Sequence, residues 1–116
     1  MSMYNYHTKP EAELQYLEIC SVDELPAGER LFFVVGDTSV VLLHMGEQYF
    51  AIADKCSHDD GPVGDGEVED CEIICPRHGA RFDLTSGKAT KMPAVEDIPA
   101  FPVQIKDGKI LVGFPL

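Results

Sequence analysis

The sequence predicts an all-β protein, a small antiparallel sandwich or barrel. Three observations point there: short runs rich in Val, Leu, Phe and Tyr recur along the chain, Gly-containing turns separate them, and no segment carries a long apolar stripe at helical spacing. With 116 residues the chain fits one domain and can hide roughly two-thirds of its unfolded surface.

Residues 1–14 read as an N-terminal extension without periodicity, and residues 15–116 as the domain. Tyr16 to Cys20 has the composition of a strand. Ser21 with Glu24 three places on resembles a capping box for one helical turn, which Pro26-Ala27-Gly28 then breaks. Leu31 to Val35, Ser39 to Met45 and Tyr49 to Ala53 follow as three strands of a meander, separated by Gly36-Asp37-Thr38 and Gly46-Glu47-Gln48. Further strands are expected at Glu72 to Cys75, Ala80 to Leu84, Phe101 to Ile105 and Lys109 to Phe114, the last two joined by an Asp107-Gly108 hairpin turn. The stretch Asp54 to Gly66 breaks this rhythm. It is polar, holds Gly61, Pro62, Gly64 and Gly66, and is long for a loop that serves no site.

Twenty Asp and Glu against nine Lys and Arg give a formal charge of -11. Such a field repels nucleic acid and anionic membranes, and it suits a basic protein partner. Met1 to Leu14 is polar where a signal peptide needs an apolar stretch, and no later run approaches the length of a membrane span, so the expected location is the cytoplasm.

Two of the four cysteines are closely followed by histidine, a spacing that fits metal ligation better than disulfides. The elements are Cys56-Ser57-His58 and Cys75-Pro76-Arg77-His78, separated by residues 59–74. Thiolate and imidazole together suit iron-sulfur clusters, zinc and copper, so ligand type does not choose the metal. A zinc finger of the Cys₂His₂ kind pairs its cysteines in one element and its histidines in the other, whereas each element here is mixed. Two facing loops could place both cysteines beside one metal and both histidines beside a second. A zinc or mononuclear iron site with the same four ligands stays open on these grounds alone.

The sequence resembles the Rieske-type 2Fe-2S ferredoxins. Cys56-Ser57-His58-Asp59-Asp60-Gly61-Pro62 and Cys75-Pro76-Arg77-His78-Gly79-Ala80-Arg81-Phe82-Asp83 look like the two cluster loops of that family, and the likeness runs from Tyr16 to Phe114. It implies the Rieske fold, with a cluster-binding subdomain formed by two β-loops and one cluster per chain. By this resemblance Cys56 and Cys75 hold the inner iron and His58 and His78 the outer, more exposed one. Met92-Pro93-Ala94 is similar to a third, proline-containing loop that shields the cluster.

Two thiolates and two neutral imidazoles leave the oxidised cluster without net charge, whereas four thiolates leave a dianion. An electron enters the neutral site more readily, in line with Rieske potentials above the about -400 mV of plant-type ferredoxins. The chain departs from the respiratory-complex branch of the family. Gly61 and Arg77 stand where that branch carries an extra disulfide, and Ala80 and Phe82 stand where it carries a Ser and a Tyr hydroxyl near the sulfurs.

The resemblance implies an electron carrier that catalyses no bond chemistry, taking one electron from a flavin-containing reductase and passing it through the imidazole edges to a terminal oxygenase. It would act as the ferredoxin component of a dioxygenase and as a monomer. No catalytic domain is expected after Phe114. The alternative is a Rieske-like small subunit of a nitrite-reductase-type or other multi-subunit enzyme. A sensor would need an effector module, and a Cys-His hydrolase pair two residues apart in a turn is badly placed.

Cys20 and Cys71 read as ordinary thiols, and His7 and His44 as structural. Gly61, Gly64, Gly66 and Gly79 permit close approach or positive φ. Asp59, Asp60 and Asp65 are candidates for docking a basic reductase, with Arg77 and Arg81 framing the docking face. With no hydroxyl at positions 80 and 82, the reduced cluster's charge is less stabilised, and a reduction potential of about -150 mV is expected. Direct electrochemistry of the purified protein checks this; a value near the positive end of the Rieske range would contradict it.

Overall fold

The computed structural model describes residues 14–56, 61–76, 79–92 and 96–115. The expected N-terminal extension, apart from Leu14, lies outside the described residues. Among the described residues, eleven strands form three antiparallel sheets.

The first half follows the apolar runs. β1 (Gln15–Ser21) leads into a 3-10 turn at Val22–Glu24, where the Glu24 carboxylate accepts the Ser21 backbone N–H at 2.8 Å and its hydroxyl at 3.2 Å. The Ser21 N–H holds the Glu24 carboxyl below the usual carboxylate range. β2 (Arg30–Val35), β3 (Thr38–Met45) and β4 (Gln48–Ala53) form the expected meander.

In the second half β5 (Val68–Glu69), β6 (Glu72–Ile74), β7 (Arg81–Asp83) and β8 (Ala89–Lys91) make a small sheet in sequence order. β5 and β8 are two and three residues long and carry no apolar alternation, so the sequence gives no sign of them. The Phe101 to Ile105 run divides into β9 (Ala100–Phe101) and β10 (Val103–Lys106). Pro102 stands between them and has no N–H for a ladder; β9 pairs with β4, whereas β10 pairs with β11 (Lys109–Phe114) in another sheet. Asp107 and Gly108 both have positive φ, as the predicted hairpin turn requires.

The expected sandwich is present, with a third sheet added. The central sheet, ordered β2-β3-β4-β9, is covered on both faces. Along β3 the side chains alternate between two cores: Val40 and Leu42 join Ala51, Phe101, Ile110, Val112 and Phe114 under the β1-β11-β10 sheet. Val41 and Leu43 join Ile52, Ile73, Phe82 and Leu84 under the small sheet. All four consecutive residues from Val40 to Leu43 have no solvent exposure, which turns strict alternation into a continuous apolar run. Replacing Leu42 by Ala is expected to destabilise the protein by about 2–5 kcal/mol, read from denaturant midpoints, without changing the iron content of the folded fraction.

Candidate metal centre

Cys56 and Cys75 both lie in the core between the central and small sheets, Cys56 with no exposure and Cys75 with 1%. They reach it from different elements. β4 ends at Ala53, and Asp54 and Lys55 carry the chain into the first loop; Cys75 follows directly on β6.

The two loops close in the same way. The Cys56 N–H donates to the Gly61 carbonyl at 2.7 Å, and the Cys75 N–H donates to the Ala80 carbonyl at 2.7 Å, in each case a residue five positions on. The second loop is tightened further by Gly79 N–H donating to the Cys75 carbonyl at 3.0 Å, with Gly79 at φ +77°. Ile74 and Arg81 pair across its base, so it is the tip of the β6-β7 hairpin. His58 and His78 fall inside these two closed loops in sequence, and both lie outside the described residues, as do Ser57, Asp59, Asp60 and Arg77.

The donor set fits an iron-sulfur site. Both thiols are free of disulfides and sit among Val63, Ile73, Ala80, Phe82 and Leu84, where thiolate ligands are shielded from water. Ala80 and Phe82 are wholly buried, and neither carries a hydroxyl. The other two cysteines are elsewhere. Cys20 packs toward the opposite core, where burial and then the Glu24 charge push its thiol above the ordinary value. Cys71 is exposed at the β5-β6 turn, with Asp70 and Cys71 both at positive φ. Among the described residues no three His, Cys, Asp or Glu side chains converge on a common point that could hold a metal.

Chemistry in the sequence located the cysteines, but not what supports their loops. The Asp54 carboxylate accepts the N–H of Val63 at 2.9 Å and of Gly64 at 2.6 Å. The Arg30 guanidinium donates to the carbonyls of Gly64 and, at 2.7 Å, Gly66. An Asp directly after a strand hints at such a turn, whereas nothing local marks Arg30. Arg81 on β7, considered as framing a docking face, pairs with Glu72 of the adjacent β6 at 2.7 Å and with Glu69 of β5 beyond it at 3.1 Å. Met92 is 70% exposed, and Pro93 and Ala94 lie outside the described residues. Among the described residues no helix is long and apolar enough to cross a membrane.

Residues 15–102 match the sequence profile of the Rieske 2Fe-2S domain. The chain belongs to this family. It is 37% identical over 101 residues to the 3-phenylpropionate/cinnamic acid dioxygenase ferredoxin subunit of Photorhabdus laumondii, covering 85% of this chain and 94% of that one. The ferredoxin of carbazole 1,9a-dioxygenase from Nocardioides aromaticivorans superposes with a TM-score of 0.77 at 30% identity, covering 84% of this chain and 95% of that one. A ferredoxin in complex with the oxygenase of carbazole 1,9a-dioxygenase does so with a TM-score of 0.75 at 26% identity, covering 84% and 91%. This Rieske protein therefore carries a 2Fe-2S cluster and serves electron transfer.

A Cβ added to Gly79 would meet nothing within 4 Å, so the cost of Gly79→Ala is the left-handed backbone alone. That substitution is expected to lower stability by about 1–2 kcal/mol in chemical denaturation.

Proposed function

We propose that this chain is the ferredoxin component of a dioxygenase system, taking single electrons from a flavin-containing reductase and delivering them to a terminal oxygenase. Cys56 and Cys75 hold one iron and His58 and His78 the other. The observation that carries this reading is the pair of identically closed loops, each bringing one buried cysteine into the same core.

When bound, the cluster supplies reversible one-electron chemistry. The chain's own residues do the rest. Val63, Ile73, Phe82 and Leu84 wall the cysteines from water, which keeps the local dielectric low. The hydrogen bonds from Cys56 to Gly61 and from Cys75 to Ala80 hold each loop at one size, so that little reorganisation accompanies a change of charge. By the likeness to the family, the electron leaves through the imidazole edges of His58 or His78. Exposed Asp65, Glu67, Glu69 and Asp70 neighbour the loops in sequence and suit a basic docking face. A carrier that docks alternately with two partners works as a monomer in the cytoplasm.

Relatives named as ferredoxin subunits of dioxygenases, and a ferredoxin seen with its oxygenase, support this reading. The test is the electron paramagnetic resonance spectrum of dithionite-reduced protein, with iron and sulfide assayed on the same sample. Wild type, Cys20→Ser and Cys71→Ser are expected to hold two irons and give the low average g of a nitrogen-ligated cluster. Cys56→Ser, Cys75→Ser, His58→Ala and His78→Ala are expected to lose that signal. Its survival in either histidine variant would overturn the ligand set, and a silent, zinc-loaded wild type would overturn the electron-carrier reading.

A further inference from the structure

Segment 63–67 lies between the two cysteine loops and is gripped from both sides. On the side of the central sheet, Arg30 at the start of β2 donates to the carbonyls of Gly64 and Gly66, and Asp54, two residues before Cys56, accepts the N–H groups of Val63 and Gly64. Gly64 is pressed into that grip. A Cβ there would stand 2.6 Å from the Phe32 ring, 2.9 Å from the Asp54 carboxylate and 3.2 Å from Val41.

On the other side the segment rests directly on β6. A Cβ on Gly66 would stand 1.9 Å from the Ile74 carbonyl oxygen, and the Ile74 N–H donates to the Glu67 carbonyl at 2.9 Å. Ile74 immediately precedes Cys75. An unbroken series of close contacts therefore runs from Asp54, through Gly64 and Gly66, to Ile74, and each of its ends is within two residues of a buried cysteine.

We propose that Arg30 is a positioning residue: with Asp54 it clamps segment 63–67 against β6 and so sets the separation of the two cysteine loops. This inference rests on the proposed ligand set. A guanidinium suits the task because a single terminal nitrogen, Nη1, carries two N–H donors and serves both carbonyls. The absence of side chains at Gly64 and Gly66 is what brings the clamped segment to within contact of both flanking strands. A change in the clamp should therefore reach the cluster by altering the spacing of its thiolates, separately from any loss of global stability.

The experiment compares wild type, Arg30→Gln, Arg30→Lys, Gly66→Ala and, as a destabilised reference in the opposite core, Leu42→Ala, all as cluster-loaded protein. Two quantities are read: the rate of iron release to a chelator, with denaturant used to match global stability, and the g values of the reduced cluster. Release about tenfold faster in Arg30→Gln and Gly66→Ala, with shifted g values, partial recovery in Arg30→Lys and neither change in Leu42→Ala, is the expected result. Should Arg30→Gln fail to fold, Arg30→Lys and Gly66→Ala carry the same comparison. Clamp variants that match Leu42→Ala in release rate at equal stability and keep wild-type g values would overturn the clamp alone, whereas a wild type without the nitrogen-ligated signal would overturn the ligand set beneath it.

Discussion

Burial of β3 on both faces is the constraint on which the rest of the molecule depends. Val40 to Leu43 have no contact with water, and because successive side chains point to opposite faces, the strand feeds two separate cores. A central sheet of this kind needs a cover on each side. The β1-β11-β10 sheet supplies one cover and the small β5-β8 sheet the other. The first core contains only packing residues and the half-buried Cys20, while the second contains both buried cysteines. Both buried cysteines thus lie on one face of a single sheet.

The small sheet has little to hold it together by itself. Its strands are two or three residues long, and polar pairs of Arg81 with Glu72 and Glu69 tie β7 to β6 and β5. Its inner face, Ile73, Phe82 and Leu84, is seated on Val41, Leu43 and Ile52 of the central sheet. Hairpins of this length are marginal alone, so the small sheet owes its form to that seat and to loop contacts such as Leu84 N–H with the Cys71 carbonyl at 2.9 Å.

Charge follows the same division. Among the described residues no charged side chain is buried, and the excess of Asp and Glu is left to the surface. A site with neutral imidazoles and two thiolates bears no net charge when oxidised, so its core needs no buried countercharge. The lack of hydroxyls at Ala80 and Phe82 leaves that core apolar up to the ligand loops. Electron delivery at low potential is compatible with so plain a surround.

The sequence alone was enough to locate the strands from Gln15 to Ala53, the Asp107-Gly108 turn and the two Cys-His elements, because each is written in adjacent residues: apolar runs, a left-handed dipeptide, Cys and His two or three places apart. Only the tertiary structure decided that the Phe101 to Ile105 run serves two sheets, that β5 and β8 exist, and that Arg81 pairs with Glu72 of β6 and Glu69 of β5. It alone joined Arg30 to a carbonyl 34 residues away and Gly66 to β6. Ligand chemistry is local and residue-specific, and so it is legible in the chain; the spacing between two ligand loops is a sum of contacts between distant segments, and no short stretch of sequence contains it.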